Sequence, residues 1–239
     1  MLVILLFSAI FPVAIFLFFI YKKDTKKEPP KLLAKSFMWG CIAALPVIIV
    51  ELILDYFNIF NSAFLQSFYN AFIVAAFVEE GFKFLCLYLI IWKHKEFDQY
   101  YDGIVYAVFV SLGFAVVENI VYVIQFGIVT SILRAILPVP GHGLFGVIMG
   151  YFFALAKFST NNKRKKLLWL SFLLPFFIHG LYDFFLFYMQ HFQDNVFIAL
   201  LFIVFFIILM VFLWRYGIRY IKKHYAKDKE EILINKMTE

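Results

Sequence analysis

Charge is what this sequence has least of. Asp, Glu, Lys and Arg make up 16% of its 239 residues, while hydrophobic residues reach 64%, against roughly 25% and 45–50% in soluble domains. A chain with so few polar side chains cannot cover a water-facing surface. Cysteine is scarce as well. Cys41 and Cys86 both fall inside apolar stretches without a metal-type spacing partner, which argues against a disulfide framework and against cysteine-ligated zinc. No GxSxG elbow and no HExxH pair is present, and there is no internal repeat. Nucleophilic serine chemistry and the common zinc-peptidase motif therefore have no sequence support.

Apolar length takes the place of charge. Seven segments, roughly 2–20, 36–56, 64–92, 103–126, 131–156, 168–190 and 195–214, reach about the 20 residues that cross a bilayer. Phe alone supplies 34 residues. These segments predict an all-α, polytopic membrane bundle of about seven transmembrane helices, built as one integral membrane domain over 1–239. Its chemistry-bearing core is expected over about 64–190, and a basic tail over 215–239. Lysine follows the first segment directly and no basic region precedes it, so it reads as a retained anchor and not a signal peptide.

The basic residues are spread unevenly. Twenty of the 22 Lys and Arg lie after segments one, three, five and seven, and the loops near 57–63, 127–130 and 191–194 carry none. The positive-inside rule then predicts an outside N-terminus and a cytoplasmic C-terminus, in a cell membrane. The net charge of +6 follows from topology and anionic lipid, so the expected surroundings are a lipid bilayer and not nucleic acid.

Against this background Glu79 and Glu80 stand out, adjacent in AFIVAAFVEEGFKFLCLYLII. One charge at bilayer depth costs at least ~2.5–3.5 kcal/mol on insertion scales, and two adjacent carboxylates must share a proton or meet a counter-charge. Lys83 is four residues on, on the same helical face, and supplies that charge; the plainer alternative is that it snorkels toward the cytoplasm. Glu118 and Asn119 lie in segment four, His142 in segment five, and His179 and Asp183 in segment six, one turn apart. Taken singly, a histidine or an asparagine in a span is often only an interhelical hydrogen bonder. At about 1.5 Å per residue, however, four segments deliver carboxylates and imidazoles to one layer, which predicts a shared polar cavity. Pro138, Pro140, Gly141 and Gly143 predict a broken helix start around His142. Gly81, Gly113 and Gly180 are expected to let helices approach closely. Arg134 reads as an interfacial anchor, Asp102 as a helix N-cap, and Glu51 and Asp55 as residues near the headgroups without a catalytic role.

A carboxylate can take a proton from water, and an imidazole can donate to a developing oxyanion or a leaving amine. Glu79, Glu80, His142 and His179 thus supply parts for amide hydrolysis. Glu and His side chains from separate helices can also bind zinc, and the same set can relay protons in a coupled transporter or channel. A catalytically idle relative acting by binding is a third class.

The motifs resemble the PrsW family of glutamic-type intramembrane proteases, related to the CAAX-processing and bacteriocin-processing (CPBP) membrane proteases. The resemblance rests on Glu79-Glu80-Gly81-Phe82-Lys83, on Asp102-Gly103-Ile104-Val105-Tyr106 with Gly113 to Asn119, on GHGLFGVIMGYF around His142, and on His179-Gly180-Leu181-Tyr182-Asp183-Phe184. These blocks cover roughly 75–188. The resemblance implies a metal-free, cofactor-free endopeptidase acting on a single-span membrane protein, with an anti-sigma factor suggested. In it Glu79 and Glu80 activate water, His179 is essential, and His142 and Glu118 complete the site, while Asp183 or Asn119 orient it. Two positions depart from the wider group: Phe114 leads to Glu118 where an FxxxH pattern is usual, and Lys83 stands where Arg is common, which removes bidentate pairing.

Overall fold

Proline starts two of the helices. Pro30 opens α2 (Pro30–Tyr56) and Pro138 opens α7 (Pro138–Lys157), where the missing N–H has no intrahelical partner to lose. Pro12, Pro46 and Pro175 lie inside helices, as membrane bundles tolerate. The computed structural model describes residues 2–192 and 194–238. Met1, Gln193 of the 191–194 loop, Glu239 of the tail and the side chains of Leu2, Asn161, Asn162, Lys236 and Thr238 lie outside the described residues.

All regular structure among the described residues is helical: α1 (Leu2–Lys23), α2, α3 (Ala63–Phe68), a π-helical stretch (Tyr69–Ala76), α4 (Phe77–Ile91), α5 (Tyr100–Phe126), α6 (Ile128–Ile136), α7, α8 (Asn161–Met189), a 3₁₀ turn (Gln190–Phe192) and α9 (Val196–Thr238). Among the described residues six spans are long and apolar enough to cross a membrane: α1, α2, α5, α6 with α7, α8 and α9. The expected segment 64–92 is instead a composite of α3, the π stretch and α4. Expected segment five is broken at Leu137, between α6 and α7, as the proline and glycine content around His142 predicts.

α5 lies at the centre. From Tyr101 to Val116 nearly every side chain is buried, against α2, α7 and α1. Glycine permits the closest crossings. A Cβ on Gly113 would meet the Phe37 carbonyl oxygen of α2 at 2.0 Å, and one on Gly150 the Gly103 oxygen at 2.2 Å. Gly180 accommodates the Phe72 ring, whereas a Cβ on Gly81 would meet nothing nearer than 3.8 Å. Gly81 therefore does not serve the close approach expected of it.

The basic segments gather at one end of the bundle. Lys26 pairs with Asp98, and Lys157 donates to the Trp92 carbonyl at 2.6 Å. The 215–239 tail continues α9 as helix. It docks at this end through Asp228, which accepts from the Tyr100 and Tyr101 amides at 2.8 and 2.7 Å, and through His224 against the Tyr151 carbonyl at 3.0 Å. Asp102 is not the N-cap of α5. Gln99 is, and Asp102 sits one turn in, accepting from the Gln99 and Asp98 amides at 2.6 and 3.0 Å as the returning half of a capping box.

Candidate active site

Glu79 and Glu80 occupy the first turn of α4, directly after the π stretch, and irregular helix of this kind is frequent at functional sites. Both are buried, and so is Lys83. The Lys83 Nζ lies 2.8 Å from Glu79 Oε2, 2.8 Å from Glu80 Oε1 and 3.1 Å from His142 Nδ1, with the Phe114 ring centroid at 4.3 Å. Lys83 thus pairs inward and does not snorkel.

From this cation the network extends in two directions. An ammonium only donates, so His142 Nδ1 accepts and its Nε2 donates to Glu118 Oε2 at 2.9 Å. The His142 carbonyl takes a bond from Ser111 at 2.7 Å, which pins the start of α7 to α5. Glu118 Oε1 meets Arg134 at 2.8 Å. Arg134 donates in turn to Asn119 at 2.7 Å and lies 4.3 Å from the Tyr122 ring. On the other side, His179 Nδ1 lies 3.0 Å from Glu80 and Nε2 3.2 Å from Asp183. Both of its nitrogens face carboxylates, an arrangement that suits the doubly protonated ring. The His142 and His179 rings are 5.5 Å apart, and Phe145 stacks on His179 at 4.7 Å.

The eight candidate site residues, Glu79, Glu80, Lys83, Glu118, Asn119, His142, His179 and Asp183, join this network, and Arg134 joins it as well. α6 turns Arg134 into the bundle at 8% exposure, where it neutralises Glu118; the expectation of an interfacial anchor fails because height along a helix says nothing about direction. Asn119 works at one remove, holding Arg134 and donating to the Ala9 carbonyl at 3.3 Å.

A cavity of about 450 Å³ adjoins the network, lined by Glu79, Glu118, His142, His179 and Asp183. Glu80 and Lys83 do not line it. The cavity reaches Asp55 near the end of α2 and Gln190 after α8, both exposed, at the end of the bundle away from the basic segments. Glu51 also lines it, so the expectation that this residue only meets headgroups is corrected.

Fold and centre together define a helical membrane protein with a buried carboxylate–imidazole site open to a cavity. Comparison with known proteins makes this specific. The PrsW-protease family, described as "PrsW family intramembrane metalloprotease", matches residues 28–212, which takes in α2 and the first part of α9 beyond the motif blocks. "Protease PrsW" of Oceanobacillus iheyensis is 43% identical over 182 residues, 76% of this chain and 82% of that protein. The Bacillus subtilis protein of the same name is 36% identical over 211 residues, 88% and 90% of the two chains. That of Clostridioides difficile is 34% identical over 228 residues, 93% and 92%. No solved structure matches. The chain belongs to the PrsW protease family and is a membrane protease, which decides between the expectations of hydrolysis and of proton-coupled transport.

The family description raises a metal. Two triads, Glu79–Glu80–His179 and Glu79–Glu118–His142, bring their donor atoms within 4.8 Å, and these are zinc-type donors. The hydrogen bonding does not fit a metal as the side chains stand. The His142 Nδ1 lone pair is taken by Lys83, and both His179 nitrogens are engaged by carboxylates. A dication bound by either triad would need Lys83 to withdraw or His179 to release a carboxylate.

Proposed function

We propose that the chain is an intramembrane endopeptidase that hydrolyses a peptide bond in a single-span membrane protein with water activated by glutamate. The observation that carries the reading is the Lys83-centred cluster opening on the cavity through Glu79. Glu79 lines the cavity, and its Oε2 is held by Lys83. Its Oε1 has no hydrogen bond from the described residues, which leaves it to face a water. Glu80 lies behind, at 0% exposure, and holds Lys83 and His179 in place. This divides the pair into a base and a positioning residue.

In the step, water attacks the carbonyl carbon while Glu79 takes its proton. His179, protonated, stacked on Phe145 and held at Nδ1 by Glu80, turns its Nε2–H from Asp183 toward the oxygen that becomes negative. When the tetrahedral intermediate collapses, the C–N bond breaks and the proton held by Glu79 goes to the leaving amine. One acid and one amine result, and the centre returns to its starting state. His142 and Glu118 fix the far side of the cluster, and Asp183 fixes the ring of His179. In the proposed substrate class, the family resemblance suggests an anti-sigma factor in the cell membrane, cut near its outer side as the first of successive cleavages.

The test is cleavage of a membrane-embedded substrate by purified protein. Glu79→Gln retains an acceptor for Lys83 and is expected to lower kcat by about 10²–10⁴, with little change in KM. Activity is expected to survive chelator in protein that contains no stoichiometric zinc. Wild-type turnover in Glu79→Gln, or activity that disappears with chelator and returns with zinc, would overturn this mechanism.

A further inference from the structure

Cations and imidazoles at the cavity are matched to carboxylates. Glu79 has Lys83, Glu118 has Arg134 and His142, and Asp183 has His179. Two lining carboxylates are left over. Glu51 and Asp55 sit one helical turn apart on α2, on one face. Neither makes an ion pair or a side-chain hydrogen bond with any described residue. Asp55 is exposed at the mouth and Glu51 lies one turn deeper, partly buried. An unpaired carboxylate is expensive on an apolar spanning helix, and two facing one cavity leave a wall of it without a cationic partner among the described residues.

A second observation points to a ligand in the same space. Tyr182 lines the cavity at 3% exposure, one turn of α8 from His179, and its hydroxyl has no hydrogen-bond partner. A buried phenol without a partner is rare. What it lacks is an acceptor, and a peptide carbonyl provides one. What Glu51 and Asp55 lack is a cation, and a lysine or arginine side chain provides one. The cavity connects both sets of unmet groups to Glu79.

We infer that Glu51 and Asp55 form a subsite for a Lys or Arg side chain of the substrate, next to the scissile bond on the cavity-mouth side, with Tyr182 donating to the substrate main chain. This deepens the protease reading above and rests on it. The subsite selects membrane proteins with a basic residue where the span meets the mouth face. The attraction is worth most where Glu51 is shielded from water, because a charge pair strengthens as the surroundings lose water.

The probe is a set of synthetic single-span peptides with one Leu/Ala core, carrying Lys, Gln or Glu in the juxtamembrane positions at one end. Binding and hydrolysis are measured with the full chain in nanodiscs. The Lys peptide is expected to bind at least about tenfold more tightly than the Gln peptide, and the Glu peptide more weakly than either. Glu51→Gln with Asp55→Asn abolishes the preference and brings binding of the Lys peptide down to that of the Gln peptide. Glu51→Lys with Asp55→Lys reverses it in favour of the Glu peptide. Equal binding of the three peptides by the wild-type chain, no binding of any, or a Lys preference that survives the double variant overturns the subsite. A Lys preference in binding with no peptide cut would leave the subsite standing and remove the protease reading. Equal cutting of all three would do the reverse.

Discussion

Lys83 makes three contacts within 3.1 Å, to two carboxylates and an imidazole, and its side chain is fully buried. Removing the ammonium leaves Glu79 without its close counter-charge and Glu80 with His179 alone. Lys83→Met is therefore expected to destabilise the protein by about 3–5 kcal/mol, the usual loss when one partner of a buried ion pair is removed. Lys83→Arg retains the charge but is bulkier and is expected to recover only part of that loss. Thermal unfolding in detergent measures both; a methionine variant as stable as wild type would show that the carboxylates are held some other way. The pairing of Lys83 with Glu79 and the alignment of His179 with Asp183 are legible in the sequence, because four-residue spacing on a helix fixes a shared face. Arg134 and Glu51 are not. Sequence gives their height in the bundle, but the direction in which each points is set by neighbouring helices.

Among the elements, the rod that carries the glutamates departs most from its expected form. A continuous apolar segment over 64–92 predicts one straight span, and the chain instead inserts a π stretch over Tyr69–Ala76 before Glu79. Its composition, YNAFIVAA, contains no proline or glycine to mark the change. Tertiary packing accompanies it: Phe72, within the π stretch, packs into the space left by Gly180 on α8. The broken start of α7, by contrast, was legible because proline and glycine act through the backbone itself. Helix contacts also separate glycines that look alike in sequence. Gly113→Ala drives a methyl group into the Phe37 carbonyl and is expected to cost about 1–3 kcal/mol as α2 and α5 move apart. Gly81→Ala has room and is expected to gain up to about 0.5–1 kcal/mol from reduced backbone freedom in the unfolded chain. Equal melting temperatures for the two variants would mean that the α2–α5 crossing is looser than the structure describes.

For the molecule as a whole, the two ends differ in chemistry. At the basic end Glu28, in the turn between α1 and α2, is buried beside Asp24, Asp102 and Tyr106, with the Tyr106 hydroxyl bonded to it. Burial, opposed by that hydrogen bond, raises its carboxyl from 4.5 to about 7. The folded state then holds a proton that the unfolded chain releases, so the Glu28 contribution is complete below about pH 4.5 and is lost as pH rises to about 7. Wild-type protein is expected to lose melting temperature over that window relative to Glu28→Gln, and parallel pH profiles would show that Glu28 titrates normally. The other end carries the cavity mouth, and which side of the membrane it faces decides where a substrate is read. For the basic segments anchored together by Lys26–Asp98, Lys157–Trp92 and Asp228–Tyr100, the positive-inside rule predicts the cytoplasmic side. The same rule predicts that the mouth, with Asp55 and Gln190, faces outside. In a background lacking Cys41 and Cys86, Ile59→Cys should react with a membrane-impermeant maleimide in intact cells, and Lys163→Cys only after permeabilisation. Ile59 is 82% exposed in the loop after α2, so failure to label it would not come from burial. The opposite pattern would place the mouth in the cytoplasm, and the basic residue that Glu51 and Asp55 await would then have to come from a cytoplasmic flank, where lysine and arginine are common and would discriminate little.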